Sequence, residues 1–363
     1  MPSSMTTNAG RCIVDALPGA DKRGQALRPR PPWQALPANV AWRYIARMTD
    51  VLCLTLNPAL DVLTTIDEVR PVDKLRCGPV LNHPGGGGVN VARVLHRLGM
   101  SVLSCHLSGG VSGMHHQQLL AAEGVDTHLI PIAANMHQSF SVHELKSSQD
   151  FRFVLPGPIV LPQEVQACLD WVTANLPRKV LVLSGGAAPG VPDDTYAVLI
   201  RAAQARGIPV VLDSHGPLLR QALAAGVFLF KPNEKELAEL TGRTFGNDQD
   251  VVQAARALVL AGQAQWVAVS LAERGAVLVG ANSAWRSAAV QVSPRTTIGA
   301  GDSFVAGVVW AYLQGSPPPD WLKAGMAAGA AALLNPGTAL CEASDVRTML
   351  ARVSVQSVHD AQA

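Results

Sequence analysis

Several features are scarce in this chain. No apolar segment runs for about 18 residues without a polar interruption, so no membrane-spanning helix is expected. The six cysteines (Cys12, Cys53, Cys77, Cys105, Cys168 and Cys341) fall into no Cys-x-x-Cys spacing, and no histidines pair at metal-ligand intervals. That pattern argues against a zinc site or a disulfide framework and predicts reduced, mostly packed thiols in a cytoplasmic protein. His115 and His116 are adjacent, so their side chains point in different directions, and they read as two surface side chains rather than a metal pair. Excess charge of one sign is missing too. The formal net charge is +2, and residues 1–47 alone carry +5 from seven Lys/Arg against Asp15 and Asp21, leaving −3 for the rest. The folded part therefore gives no basis for nucleic-acid binding.

What is present is enough apolar residue, 48% of 363, to bury a substantial core. Residues 1–47 combine Pro29-Arg30-Pro31-Pro32 with scattered Arg and no sustained periodicity, the composition of a disordered extension outside the fold. A transit peptide is one alternative; a translation start at Met48, just before the first strand, is the preferred one. From Val51 onward short apolar runs recur at 51–56, 102–105, 180–184, 210–212, 227–230 and 266–270, with helical segments such as 89–98, 194–205 and 249–261 between them. This alternation predicts an α/β fold with a mostly parallel sheet covered by helices, within a domain spanning 48–355. Residues 61–82 and 137–155 alternate instead, like antiparallel strands with one wet face, and predict a small second sheet forming a lid. Two lids packing together would make a homodimer. After Asp302 the chain reads as helical to its end.

Carboxylates and glycines mark the strand ends. In Thr297-Ile298-Gly299-Ala300-Gly301-Asp302, two glycines free the amides ahead of an apolar helix, a place where a phosphate could sit. Asp302 would repel that phosphate unless it worked on a proton as a general base; the alternative is an ordinary Asp at a helix N-terminus. Gly85-Gly86-Gly87-Gly88 before Val89-Asn90 lets a ligand approach the main chain, or is a flexible connection. Asp61, in Asn57-Pro58-Ala59-Leu60-Asp61, is either a sugar-hydroxyl acceptor or a turn former. Asn233 and Glu236 can organise the hydration shell of Mg²⁺, cap a helix, or do both. The stretch from Ser270 to Gly275 suits a nucleotide-phosphate turn or a plain hairpin.

Taken in order, Asn-Pro-x-x-Asp, Gly-Gly-Gly-Gly-Val-Asn-Val-Ala-Arg, Lys-Pro-Asn-x-x-Glu and Thr-x-Gly-Ala-Gly-Asp resemble the ribokinase-like PfkB family of carbohydrate kinases, across nearly everything outside the N-terminal tail. Lys74-Leu75-Arg76-Cys77, the all-glycine turn and Phe151-Arg152-Phe153-Val154-Leu155-Pro156-Gly157 are most similar to its minor-type 6-phosphofructokinases; the 1-phosphofructokinases and tagatose-6-phosphate kinases usually place a Lys within the glycine run. The resemblance implies a three-layer α/β/α core with a β-sheet lid, and a kinase that uses ATP and Mg²⁺ to phosphorylate the 1-hydroxyl of fructose 6-phosphate. It implies Asp302 as base, Gly299, Ala300 and Gly301 as anion hole, Asn233 and Glu236 about magnesium, and Ser270 and Gly275 by the nucleotide. Asp61, Gly86, Gly87 and Asn90 would hold sugar hydroxyls, with Lys74 and Arg152 near the substrate's phosphate. Rival readings are a tagatose-6-phosphate kinase or 1-phosphofructokinase on the same scaffold, or a sugar-phosphate sensor without catalysis. Two positions depart from the family: His137 stands where a lid Arg is expected, and Ala272 where the nucleotide turn usually has Gly.

Overall fold

The computed structural model describes residues 49–358, so the expectations for residues 1–47 lie outside the described residues. The chain opens with β1 (Val51–Thr55), then β2 (Ala59–Ile66), β3 (Leu81–Gly85), α1 (Gly87–Arg97), β4 (Val102–Ser108), α2 (Gly110–Ala122) and β5 (Thr127–Pro131). There follow β6 (His137–Glu144), β7 (Gln149–Val154), α3 (Pro162–Ala174), β8 (Val180–Ser184), α4 (Thr195–Gln204), β9 (Val210–Asp213), α5 (Gly216–Ala225) and β10 (Val227–Phe230). The remainder comprises α6 (Glu234–Thr241), α7 (Asp248–Leu260), β11 (Ala264–Ser270), β12 (Ala276–Val279), β13 (Ala284–Ser287), α8 (Ala300–Leu313), α9 (Pro318–Ala332), α10 (Ala343–Leu350) and β14 (Val355–Ser357).

Ten strands form one sheet in the order β14-β13-β12-β11-β10-β9-β8-β1-β4-β5. From β11 to β5 neighbouring strands run parallel, while β12, β13 and β14 add an antiparallel edge. All five residues of β1 are buried because both faces are covered: Leu52 and Leu54 join one apolar cluster, Val51 and Cys53 the other. Helices α3, α4, α5 and α7 contribute to the first cluster, and α1, α8, α9 and α10 to the second. This is the expected three-layer α/β/α core, whose continuous apolar strands follow from burial on both sides. The parallel strands end at one edge of the sheet, and Asp213, Lys231 and Ser270 all lie there.

The lid is a separate four-stranded sheet in the order β3-β2-β6-β7. Its outer pairs are antiparallel as expected, but the central pair β2–β6 is parallel, which corrects the all-antiparallel reading. The long excursion between these strands through α1 to β5 returns the chain in the same direction, as a crossover requires. Residues 67–80 of the expected lid are an exposed connection rather than a strand. A second correction falls at the C-terminal end, where Val355–Ser357 is a strand pairing with β13 rather than helix. A third concerns His116, which α2 buries completely instead of leaving it on the surface. Cys53, Cys105, Cys168 and Cys341 are buried free thiols and Cys77 is exposed. No helix among the described residues is long and apolar enough to cross a membrane.

Candidate active site

The start of α8 sits over the carboxyl ends of the central strands. Gly299 is its N-cap, in left-handed backbone (φ 76°), and the helix then runs through Ala300, Gly301 and Asp302. Gly301 presents its backbone to Lys231: a Cβ placed there would lie 3.2 Å from the Lys231 ammonium. Lys231 is buried, and its Nζ lies 3.3 Å from Asp213 Oδ1. Burial alone would lower its pKa, but the carboxylates of Asp213, Glu236 and Asp302 outweigh that and hold it above its ordinary value. A fixed cation therefore faces the freed amides of the helix start, the arrangement that stabilises a phosphoryl group in transfer.

Asp302 opens partly to the cleft, yet the packing around it desolvates the carboxyl. That burial, with repulsion from Asp213, pushes its pKa up to about 6 despite the opposing hydrogen bond from Asn90 and the charge of Lys231. Asn90 Nδ2 donates to Asp302 Oδ2 at 2.9 Å, so the other carboxylate oxygen remains to take a proton. The amide of Asn90 is turned by Arg93, whose Nη1 donates to Asn90 Oδ1 at 3.3 Å and to the carbonyls of Pro84 and Thr338. Arg93 is almost fully buried and forked onto Glu123. Arg93, Lys231 and Asp213 are functional neighbours to which no role follows from their sequence patterns. Arg93 and Lys231 lie inside the quoted motifs, whereas Asp213 has only its place at a strand end as a signal.

A second group of candidate residues is built where β2, β3 and β6 meet α1. Gly86, with φ 119° and contacts that a Cβ would close to 2.9 Å at Thr55, turns the chain into α1 and brings Gly87 and Asn90 beside the strand ends. Asp61 is buried on β2; burial raises its pKa, opposed by hydrogen bonds from Thr338 and Ser139 and by the charges of Arg152 and Arg93. Arg152 on β7 donates to Ser139 Oγ at 3.4 Å, which ties an exposed guanidinium to the Asp61 side of the lid. Lys74 is exposed in the connection between β2 and β3 and has no hydrogen bond or ion pair among the described residues, so the structure does not bring it into this group. His137 opens β6, half-buried, with burial lowering its pKa and no partner for Nδ1 among the described residues.

Beyond Ala300 and Gly301 lies a cavity of about 790 Å³. Asn233, Ser270, Gly275, Ala300 and Gly301 line it together with the apolar Val290, Val292, Met326, Ala330 and Leu333. Asn233 and Glu236 form a reciprocal capping box: Asn233 Oδ1 accepts from the Glu236 amide and Glu236 Oε2 from the Asn233 amide, both at 2.8 Å. The second carboxylate oxygen of Glu236 is not used by the cap. Among the described residues no cluster of three or more His, Cys, Asp or Glu could enclose a metal, and the free Glu236 oxygen is the kind of donor a hydrated divalent cation accepts. Ser270 to Gly275 joins antiparallel β11 and β12, as the hairpin reading expects, and Ser270 and Gly275 also line the cavity. Ala272 adopts φ 52°, the left-handed backbone that favours glycine.

A match to the family described as pfkB family carbohydrate kinase covers residues 54–345. The chain belongs to that family. It is 38% identical over 297 residues to the ATP-dependent 6-phosphofructokinase isozyme 2 of Mycobacterium tuberculosis, covering 82% of this chain and 87% of that protein. A crystal structure of Escherichia coli phosphofructokinase-2 in complex with fructose 6-phosphate superposes with a TM-score of 0.79 at 35% identity, over 84% of this chain and 99% of that one. The 1-phosphofructokinase of Borreliella burgdorferi is 28% identical over 313 residues, 85% of this chain and 99% of that protein. The family and the ribokinase-like fold, a large mostly parallel sheet with a small separate one, thus agree with the resemblance carried by the motifs.

Proposed function

We propose that residues 48–355 form an ATP-dependent 6-phosphofructokinase that converts fructose 6-phosphate to fructose 1,6-bisphosphate. The observation that carries the reading is the hydrogen bond from Asn90 to Asp302, which joins the sugar side to the anion hole at a carboxylate with a pKa of about 6. Asp302 takes the proton of the sugar 1-hydroxyl on its free oxygen. The deprotonated oxygen bonds to the γ-phosphorus as the bond to the ADP oxygen breaks, and the amides of Gly299, Ala300 and Gly301 with Lys231 hold the transferring group. Asn233 and Glu236 would hold a Mg²⁺ that accompanies the nucleotide, and the ion would supply charge neutralisation on the phosphates. Ser270 and Gly275 flank the nucleotide; Asp61, Gly86, Gly87 and Asn90 take sugar hydroxyls; Arg152, with Lys74 from the exposed connection, takes the sugar phosphate. The names of the M. tuberculosis and E. coli relatives support this sugar. His137 in place of an Arg favours a second reading, a kinase of tagatose 6-phosphate or fructose 1-phosphate on the same scaffold.

The exposed apolar residues Leu75, Val80, Leu81, Phe153, Val154 and Leu155 all belong to the lid region and support a homodimer through the lids. The test is ADP production by the purified chain with Mg-ATP and fructose 6-phosphate, tagatose 6-phosphate, fructose 1-phosphate or free fructose. Highest kcat/KM with fructose 6-phosphate is expected. Preference for another sugar phosphate would move the substrate, and binding with no ADP from any of the four would make the protein a sensor.

A further inference from the structure

His116 is fully buried on α2, and its Nε2 sits 3.1 Å from the carbonyl oxygen of Gly85. A carbonyl only accepts, so the nitrogen facing it carries the proton. Burial keeps the ring neutral, pushing its pKa down to about 4, which leaves Nδ1 as a lone pair with no partner among the described residues. Against it, at 4.9 Å between ring centres and edge to face, stands His106 of β4, also fully buried, with its Nε2 equally unpartnered and its Nδ1 3.4 Å from Ser104 Oγ.

Two buried histidines with two orphaned nitrogens are a costly way to fill apolar space, since an unsatisfied buried polar atom destabilises a fold where Leu or Ile would leave no such atom. What His116 holds gives the reason. Gly85 ends β3 directly against Asp61: a Cβ on Gly85 would lie 2.3 Å from Asp61 Oδ2. Gly86 and Gly87 follow immediately. A carbonyl fixed from behind thus sets the backbone on which the sugar-facing groups rest.

We propose that His116, backed by His106, is a positioning residue for the sugar subsite: its Nε2–H anchors the Gly85 carbonyl and with it the placement of Asp61 and the glycine turn. The ligand is the phosphorylated sugar, so the kinetic test rests on the function proposed above. The experiment compares His116→Leu and His116→Gln in the full chain, measuring KM for fructose 6-phosphate, KM for ATP, kcat and Tm. His116→Leu is expected to raise the sugar KM about tenfold, the effect of one lost buried hydrogen bond, with the ATP KM changed less than about twofold. His116→Gln, whose amide N–H reaches the same carbonyl, restores the sugar KM to within about threefold. An unchanged sugar KM in His116→Leu, or equal damage to both substrates in both variants, overturns the proposal. Nitrogen-15 NMR of the parent tests it independently of folding of the variants and of substrate identity. A neutral His116 protonated at Nε2 is expected, and protonation at Nδ1 instead would contradict the anchor even if no sugar were turned over.

Discussion

The groups around Asp302 and those on the lid differ in how firmly the protein holds them. Lys231 and Arg93 are buried, Asn90 has both ends of its amide engaged, and all three are tied to elements of the main sheet and its helices. Arg152 and Lys74 are exposed, and Arg152 makes one long contact, to Ser139. A preorganised charge stabilises a transition state because its reorganisation has already been paid for in folding. Exposed charges held by few contacts are less preorganised, which under the proposed function suits a region that chooses the substrate. Under the proposed function, the core would set the chemistry and the lid which sugar receives it.

The largest expected break in that division is at Asp302. Asp302→Asn is expected to lower kcat by about 10²–10⁴-fold, the range for losing a general base, read as ADP release under saturating substrates. In the parent enzyme, kcat/KM should fall with an acid limb near pH 6, because the base is protonated below its pKa. A limb near pH 4 would contradict the desolvated carboxylate. The same shift has a sign for stability. The folded carboxyl holds its proton more tightly than the unfolded one, with a pKa of about 4, so this group opposes folding increasingly as pH rises from about 4 to 6. Asp302→Asn should accordingly raise Tm relative to the parent at pH 7.5 and not at pH 4.

On the lid, Arg152→Ala is expected to raise KM for fructose 6-phosphate about 10–100-fold while kcat stays within a few-fold, as for loss of a charge-assisted contact made equally in ground and transition states. His137→Arg sharpens the comparison in the other direction, lowering that KM about three- to tenfold by adding a permanent, bidentate cation. An unchanged KM would show that the phosphate lies elsewhere. The smallest effect belongs to the nucleotide turn, where Ala272→Gly should stabilise by about 0.5–1 kcal/mol through relief of left-handed backbone, visible as a rise in Tm.

Legibility in the sequence follows the same division. Strands such as Val180–Ser184 and Val227–Phe230 can be delimited to the residue because burial on both faces leaves an unbroken apolar run. The parallel pairing of β2 with β6 is not legible, since alternation reports a wet face and not a direction. Three-residue β14 is too short to carry a period and exists through its partner β13. The glycine-flanked Asp302 and the Asn233–Glu236 pair are visible as local spacing. Asp213 and Arg93 act through partners remote in sequence, and His116 looks like a surface residue until α2 is seen to bury it against Gly85.

The division between core chemistry and lid recognition is tested most directly by calorimetric titration of fructose 6-phosphate into Asp302→Asn. The account predicts binding within a few-fold of the parent's affinity in a protein that has lost nearly all turnover. Loss of binding together with turnover would contradict it, because the carboxylate would then belong to recognition as much as to proton transfer.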